Sequence, residues 1–434
     1  MTVLFSIVMP VFNAQDFLPK CINSIIRQKR DNIEIIIIDD GSTDGTPSIC
    51  RRLSERFSFV KLLTHLDNKG VGVSRNRGNQ MATGDYIIFV DSDDELFPEA
   101  LLNLEKHIDL NDNPDVVLLH YKKQTFPKSS YQLIRGIRDL NNNVGKFIEF
   151  ISQKRFPLSD QWAFAVRRKF IESNAIVFSN VRIGEAELFM ASVICLMETF
   201  SGMPEQFYKK NDRDGSLNHT KGIIAAEASL QVLIDLYTNQ DKIGISGIKL
   251  RFYEEYIQAA FGIFSGLLLL LRDKDIERLA SILENYTSLI TRIKKQPENI
   301  NLIMKEDSKS SYGALIKFKN KLLKIKINAI KDYCANVDSV YLYCRSKYTE
   351  VTIACLNGLG KKISAIVDDS EDYSGTTLCG YETITAKTFL ETRTKNNPNS
   401  LIIITHQKPK VIKKIENSLI REGINKRQIK SISY

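Results

Sequence analysis

The sequence predicts an α/β protein in three parts: a mostly parallel sheet with its helices, a helical middle region, and a second, smaller strand–helix unit at the end. Three observations predict it. Between residues 4 and 120, short apolar runs rich in β-branched residues alternate with stretches of helical spacing. From about 222 to 334 the helical period persists alone, and from about 337 the alternation returns. Short strands separated by helices of ten-odd residues make βαβ units and therefore a mostly parallel sheet. At 434 residues the chain exceeds one typical core, so domains at 1–221, 222–334 and 335–434 are expected.

The elements follow in order. Leu4–Met9 is a buried-strand run ending at Pro10. Asp16–Gln28 repeats Phe17, Cys21, Ile25 and Leu18, Ile22, Ile26 at helical spacing. Ile33–Ile38 is a second strand, closed by Asp39-Asp40. The turn Gly41–Gly45 leads into a helix marked by Ile49, Leu53 and Phe57. Val60–Leu63, Tyr86–Val90 and Val116–Leu119 are further strands. Ligands of open α/β sheets bind beyond the carboxyl ends of the strands. Pro10, Asp39-Asp40 and Asp91–Asp94 all fall there. Residues 120–220 show no sustained period and hold the single tryptophan, Trp162. Asp307–Ser311 and Gly313 mark a break. In the last third, Val340–Tyr343, Ile363–Val367 and Leu401–Thr405 are strands.

Composition is that of a globular chain, 43% hydrophobic and 26% charged. The net charge of +9 favours polyanionic neighbours without choosing among them. Seven cysteines, an odd number with no C-x-x-C pair, read as reduced core thiols and not as a disulfide framework. Met1–Pro10 reads as a strand and not as a signal peptide. The longest apolar run, Phe261–Leu271, is interrupted by Gly262 and Ser265-Gly266 and is too short to span a bilayer. A soluble, cytoplasmic protein is the expectation.

Three local constellations carry chemistry. Asp91-Ser92-Asp93-Asp94 follows an apolar strand, where a D-x-D loop can hold a divalent cation through hard oxygen ligands. Such a cation neutralises a diphosphate as it leaves. By itself the run is equally a solvated acidic turn. Asp39-Asp40-Gly41-Ser42-Thr43-Asp44 offers a carboxylate to the imide N–H of a uracil ring; it is also a turn in which Thr43 or Asp44 caps the next helix. Asn68 through Gly78 (NKGVGVSRNRG) is glycine-rich, opens a helix, and places Arg75 where a diphosphate would sit.

In this order and at these spacings, the chain resembles the inverting glycosyltransferases of family 2. That family opens with a strand and P-x-[YF]-N, then D-D-G-S-x-D, N-x-G-x-x-x-[AS]-R-N-x-G and D-x-D-D. Here these read Pro10-Val11-Phe12-Asn13, Asp39–Asp44, Asn68–Gly78 and Asp91–Asp94. The resemblance covers roughly residues 4–220. It implies a GT-A, Rossmann-like nucleotide-binding domain and a UDP-sugar donor. By the same resemblance Pro10 and Phe12 pack on the base, and Asp40 or Asp39 binds its ring nitrogen. Asn68 and Arg75 lie near ribose and diphosphate, Asp91 faces the ribose side with Ser92 among the donor-binding residues, and Asp93 ligates Mn²⁺ or Mg²⁺.

The acceptor side departs from the pattern. The family's G-E-D-x-x-F motif, whose Asp is the usual general base, reads Gly184-Glu185-Ala186-Glu187-Leu188-Phe189. Ala186 cannot take a proton. Three readings stand: a base-deleted variant of an active enzyme, a neighbouring carboxylate (Glu185 or Glu187) as base, or a weak or inactive nucleotide- and glycan-binding module. Downstream, Tyr208–Ser216 loosely follows Y-x-Y-R-x-R-x-G-S, with Arg213, Gly215 and Ser216 matching and Asn211 in place of an arginine. His219 is a metal neighbour or an ordinary surface residue, and Trp162 an acceptor platform or core.

Neither Q-x-x-R-W nor a set of membrane spans is present, so the resemblance implies transfer of one or a few sugars. The acceptor expected is a bacterial surface glycan (capsule or lipopolysaccharide) or a lipid-linked glycan. Between Lys317 and Lys331 lie six lysines and no acid, interleaved with apolar residues. That segment suits peripheral contact with the inner membrane face or a packed helix with a solvated lysine side. No nucleic-acid partner is expected, because no aromatic–basic module accompanies it; a homo-oligomer is left open. The C-terminal part resembles the small Rossmann-like domains found beside sugar-modifying enzymes. Cys344-Arg345-Ser346-Lys347 stands where those carry G-x-G, which favours a scaffold over a ligand site.

Overall fold

In the computed structural model the described residues are 4–123, 134–137, 140, 142–154, 160–211, 222–271, 273–292, 311–331, 333–335, 337–344, 347–370, 374–396, 400–405 and 409–431. The chain divides into two compact units. One comprises Met1–Thr220, Glu227–Ala260 and Leu289–Lys294; the other comprises Lys221–Ala226, Phe261–Ser288 and Lys295–Tyr434.

The first unit begins as β1 (Phe5–Val11), α1 (Leu18–Ile26), β2 (Ile33–Asp39), α2 (Thr46–Arg56), β3 (Val60–Thr64), α3 (Val71–Met81), β4 (Tyr86–Phe89) and β5 (Glu95–Leu96). It continues with α4 (Ala100–Leu110), β6 (Val116–Lys123), α5 (Val144–Lys154), β7 (Phe164–Arg167), α6 (Arg168–Ser173), α7 (Ala186–Leu196) and β8 (Phe200–Lys210). The eight strands form one sheet in the order β3-β2-β1-β4-β7-β6-β8-β5. β3, β2, β1 and β4 are parallel. β7 runs antiparallel to both β4 and β6, β6 pairs in parallel with β8, and β5 is antiparallel to β8.

Every residue of β1 and β2 is buried. That is what a near-continuous apolar run in a parallel sheet covered on both faces requires. α1 buries Leu18, Cys21, Ile22 and Ile25, the stripe its spacing predicts. The parallel half therefore follows the sequence reading closely. The other half adds β7 and β8, in the stretch where no period was apparent, and the two-residue β5 ahead of it. β5 and β7 have two and four residues, too few to display an alternation.

The predicted helical stretch is α8 (Ile223–Gln240), α9 (Gly247–Leu270), α10 (Asp273–Arg292) and α11 (Ser311–Lys331). Of the break expected at 306–313, residues 306–310 lie outside the described residues, while Ser311 and Gly313 already belong to the first turn of α11. In the basic helix α11, Leu315, Phe318 and Ile330 are buried, and Ile330, Leu323 and Ile327 join the core cluster of the second unit. Lys317, Lys321 and Lys324 stay on its exposed side. Among the described residues no helix is long and apolar enough to cross a membrane.

The second unit contains β9 (Ser339–Tyr343), α12 (Lys347–Gly358), β10 (Ile363–Asp368), β11 (Thr377–Leu378), β12 (Tyr381–Thr385), α13 (Ala386–Asn396), β13 (Ser400–Ile404), α14 (Pro409–Arg421) and β14 (Ile429–Ser431). Its sheet runs β11-β12-β10-β9-β13-β14, parallel except for β11. All seven cysteines are free thiols, five of them buried.

Candidate functional site

The carboxyl ends of β1, β2 and β4 converge on one edge of the first unit's sheet. Pro10 is buried in β1, while Phe12, just past its end, is 43% exposed and free to lie against a planar ring. The loops after β1 and β2 are stitched together. The Asn13 N–H donates to Ser42 Oγ, and Asn13 Oδ1 accepts from Thr43 N. Asp44 Oδ1 accepts from Thr46 N and its Oδ2 from Gln15 N. Gly45, and neither Thr43 nor Asp44, is the N-cap of α2, and Asp44 braces its first residue from just before the cap. Burial disfavours its charge, but these bonds outweigh that and hold its carboxyl below the ordinary range.

Asp39 and Asp40 diverge. Asp40 is fully engaged within the protein. Its Oδ1 accepts from Lys69 N at 2.9 Å and faces His65 Nδ1 at 2.7 Å, and its Oδ2 accepts from Gly70 N at 2.8 Å. It thereby pins the glycine-rich loop to the end of β2. Asp39 Oδ1 accepts from Ser42 N, whereas its Oδ2 is buried with no hydrogen-bond partner. Gly41, at φ +74°, makes this turn; a Cβ there would stand 2.7 Å from the Asp67 carbonyl carbon.

The glycines of the third constellation serve internal packing. A Cβ on Gly72 would lie 2.1 Å from the Ser179 carbonyl oxygen, and one on Gly78 would lie 2.3 Å from Val8 Cγ1. Their absent side chains let α3 sit close on the sheet and on the segment before α7. Asn68 is half-buried, and its carbonyl accepts from Arg182.

Arg75 joins the donor and acceptor motifs. It is 3% exposed, and its guanidinium reaches Asp91 Oδ1 at 2.8 Å on one side and Glu185 on the other. Burial works against its charge, but the two carboxylates raise its pKa above the usual value. Glu185 is therefore committed to Arg75.

The acidic loop follows β4. Asp91, Asp93 and Asp94 each offer a carboxylate oxygen, all within 4.8 Å of one another. This all-oxygen donor set fits a hard divalent cation such as Mn²⁺ or Mg²⁺. Asp91 and Ser92 are half-buried, and Asp94 is fully buried. Burial opposes the charge on Asp91, but Lys210 and Arg75 overcome it and bring the carboxyl down to about 2. At Asp94 burial wins over Lys210, and the carboxyl is pushed up to about 7.

Asp94 accepts from the Tyr208 hydroxyl (2.7 Å), Lys210 Nζ (2.9 Å) and Asn211 N (2.8 Å). Sequence reasoning placed Asp94 in the acidic run without a role of its own. It pointed to Lys210 only through the loose match beginning at Tyr208. Arg213 and His219 lie outside the described residues. Trp162 is 3% exposed, stacked on Tyr208 at 4.9 Å and edge-on to Tyr121 at 4.7 Å, and so belongs to the core.

On the acceptor side Ala186 opens α7 with its methyl group buried. Glu187, one residue on, keeps its Oε2 buried without a hydrogen-bond partner. Burial, then the nearby Glu185 charge, pushes its carboxyl up to about 7.

Residues 6–173 match the family model described as Glycosyl transferase family 2. The chain is 43% identical over 109 residues to the uncharacterized glycosyltransferase YibD of Escherichia coli (strain K12), covering 24% of this chain and 31% of that one. It is 26% identical over 226 residues to the minor teichoic acid biosynthesis protein GgaA of Bacillus subtilis (strain 168), covering 49% of each. The chain therefore spans less than half the length of either relative. Among solved structures, S. aureus TarS 1-349 in complex with UDP-GlcNAc aligns at TM-score 0.49 and 18% identity, over 83% of this chain and 93% of that one. Over residues 6–173 the chain is thus similar to glycosyl transferase family 2.

Proposed function

We propose that this chain is a metal-dependent inverting glycosyltransferase that moves a sugar from a nucleoside-diphosphate donor, a UDP-sugar, to a hydroxyl of a bacterial glycan or lipid-linked glycan. One observation carries the reading. On a family 2 domain, three carboxylates cluster past β4 and are tied through Arg75 to Glu185 at the start of α7. Donor and acceptor motifs, 110 residues apart, thus meet at one guanidinium. The glycan class of the acceptor is supported by the teichoic acid pathway in the name of GgaA.

In this reading the exposed Phe12 stacks on the base, and the turn held by Asp39 and Asp40 frames its edge. Asn68 borders the ribose, with Asp91 and Ser92. A divalent cation on Asp93, with Asp91 beside it, would neutralise the departing diphosphate. The acceptor oxygen attacks the anomeric carbon as the bond to the diphosphate oxygen breaks on the opposite face. The hydroxyl proton passes to a carboxylate.

Ala186 occupies the place of that carboxylate, and Glu185 is held by Arg75. We assign the residual proton acceptance to Glu187, which has an unpartnered oxygen and a carboxyl near neutrality.

The test is nucleotide release with Mn²⁺ across a panel of nucleotide sugars and glycan acceptors, comparing the chain with Ala186→Asp. Restoring the carboxylate should raise turnover on the order of 10²–10⁴-fold. No release by either form with any acceptor, alongside intact UDP binding, would instead favour a binding module.

A further inference from the structure

We propose that the ammonium of Lys210 is the resident cation of the acidic loop and competes with a divalent metal ion for Asp91 and Asp94. The inference rests on reading that loop as the metal and diphosphate site. Lys210 is the last residue of β8, and the pairing of β8 with β5 and β6 carries it to the loop after β4. Its Nζ donates to Asp91 Oδ2 at 3.1 Å and to Asp94 Oδ2 at 2.9 Å. One ammonium therefore bridges two of the three carboxylates that form the cation-binding set.

The position is built. Nζ stands 5.6 Å over the Trp162 ring, which is itself fixed by stacking on Tyr208. Tyr208 donates to Asp94 and accepts from Asp91 N, and Asn211 N takes the second oxygen of Asp94. Arg75 holds the second oxygen of Asp91. Lys209 sends its ammonium the other way, to Glu95 at 2.9 Å.

Charge bookkeeping explains why a lysine belongs here. Asp91, Asp93 and Asp94 face Arg75 and Lys210, and Arg75 is shared with Glu185. Carboxylates packed this closely repel unless a cation sits among them. Lys210 supplies one when no metal is present, so the loop keeps its shape. A divalent ion on the same oxygens would meet the ammonium at contact distance, and like charges at that range cannot share the site. Metal entry therefore requires the ammonium to leave, which weakens metal binding. In the Y-x-Y-R pattern quoted above, the second tyrosine falls on Lys210, so this competition is a property of the present chain.

Calorimetric titration of Mn²⁺ alone into the full chain tests this. Lys210→Met keeps the stem and removes the charge. It should bind Mn²⁺ tighter by on the order of tenfold, while Lys210→Arg stays close to the starting protein. Unchanged or weaker Mn²⁺ binding in Lys210→Met, or none in any form, overturns the proposal. Circular dichroism checks folding, and Lys210→Gln replaces the Met variant if that one does not fold. Nucleotide plays no part in the titration. Failure of the donor reading would show separately, as absent UDP binding beside an intact Mn²⁺ result.

Discussion

Both units of this protein have a run of parallel strands that ends at a crossover point, the place where such sheets hold ligands. They finish those strand ends in opposite ways. In the first unit, β4 runs into three clustered carboxylates, and Asp39 at the end of β2 keeps an oxygen without a partner. In the second, β9 and β13 run into hydroxyls that satisfy one another. Thr405 Oγ1 reaches the carbonyls of Tyr343 and Cys344 at 3.1 and 2.7 Å, and Thr349 Oγ1 lies 2.7 Å away. Thr349 also donates to the Cys344 carbonyl at 2.6 Å, and both threonines are fully buried. Cys344 itself takes φ +78°, where glycine would be the unstrained choice. The sheet topology supplies a place for a site, and the side chains at the strand ends decide whether one forms.

The sharpest way to break this contrast is Asp93→Ala. Losing a cation ligand should lower nucleotide release by on the order of 10²–10³-fold, with the thermal midpoint little changed. A variant with ordinary turnover would remove the metal role from the acidic loop.

The counterpart in the second unit is Thr405→Val. It keeps the shape but removes one hydrogen bond to each of the Tyr343 and Cys344 carbonyls, which keep the Thr405 N–H and the Thr349 hydroxyl. It should cost about 0.5–1.5 kcal/mol of stability, seen as a lower thermal midpoint. Nucleotide release at 25 °C should stay within about twofold of the parent. A larger loss of turnover would show that the second sheet takes part in the reaction.

The smallest effect is expected at Glu187. Its carboxyl, near 7 in the folded protein, lies above the ordinary value of 4.5. The folded state thus holds the proton more tightly than the unfolded one. The stability this contributes is present in full below about 4.5 and is lost as the pH rises through about 7. Glu187→Gln should flatten the fall in thermal midpoint between pH 5 and 8. If Glu187 also accepts the acceptor's proton, the residual turnover should rise through pH 7 in the parent and be lost in the variant. A midpoint profile unchanged by the substitution would remove the argument that Glu187 is perturbed.

Much of the donor side was legible in the sequence because its determinants are local. An apolar run such as Ile33–Ile38 declares a buried strand wherever it occurs. Asp39-Asp40 and Asp91–Asp94 directly follow such runs, so their position at strand ends could be read without a fold. The basic helix was legible as a helix, but which side it buried was not. That depended on the cluster formed by Val340, Leu342 and Ile366. The glycines at 72 and 78 were legible as places of close approach. Only the structure shows that they approach Ser179 and Val8.

By itself, then, the sequence determined the parallel half of the first sheet, the acidic loop, the family 2 pattern and its departure at Ala186, where that pattern has an aspartate. Each is written in neighbouring residues. Tertiary structure alone decided that Arg75 joins Asp91 to Glu185, that Asp40 pins the glycine-rich loop, and that Lys210 sits among the carboxylates. Those contacts span 16 to 119 residues of chain. The Lys210 contacts exist because β8 pairs with β6 and β5, and hydrogen bonding between distant backbone segments leaves no periodic trace in either one.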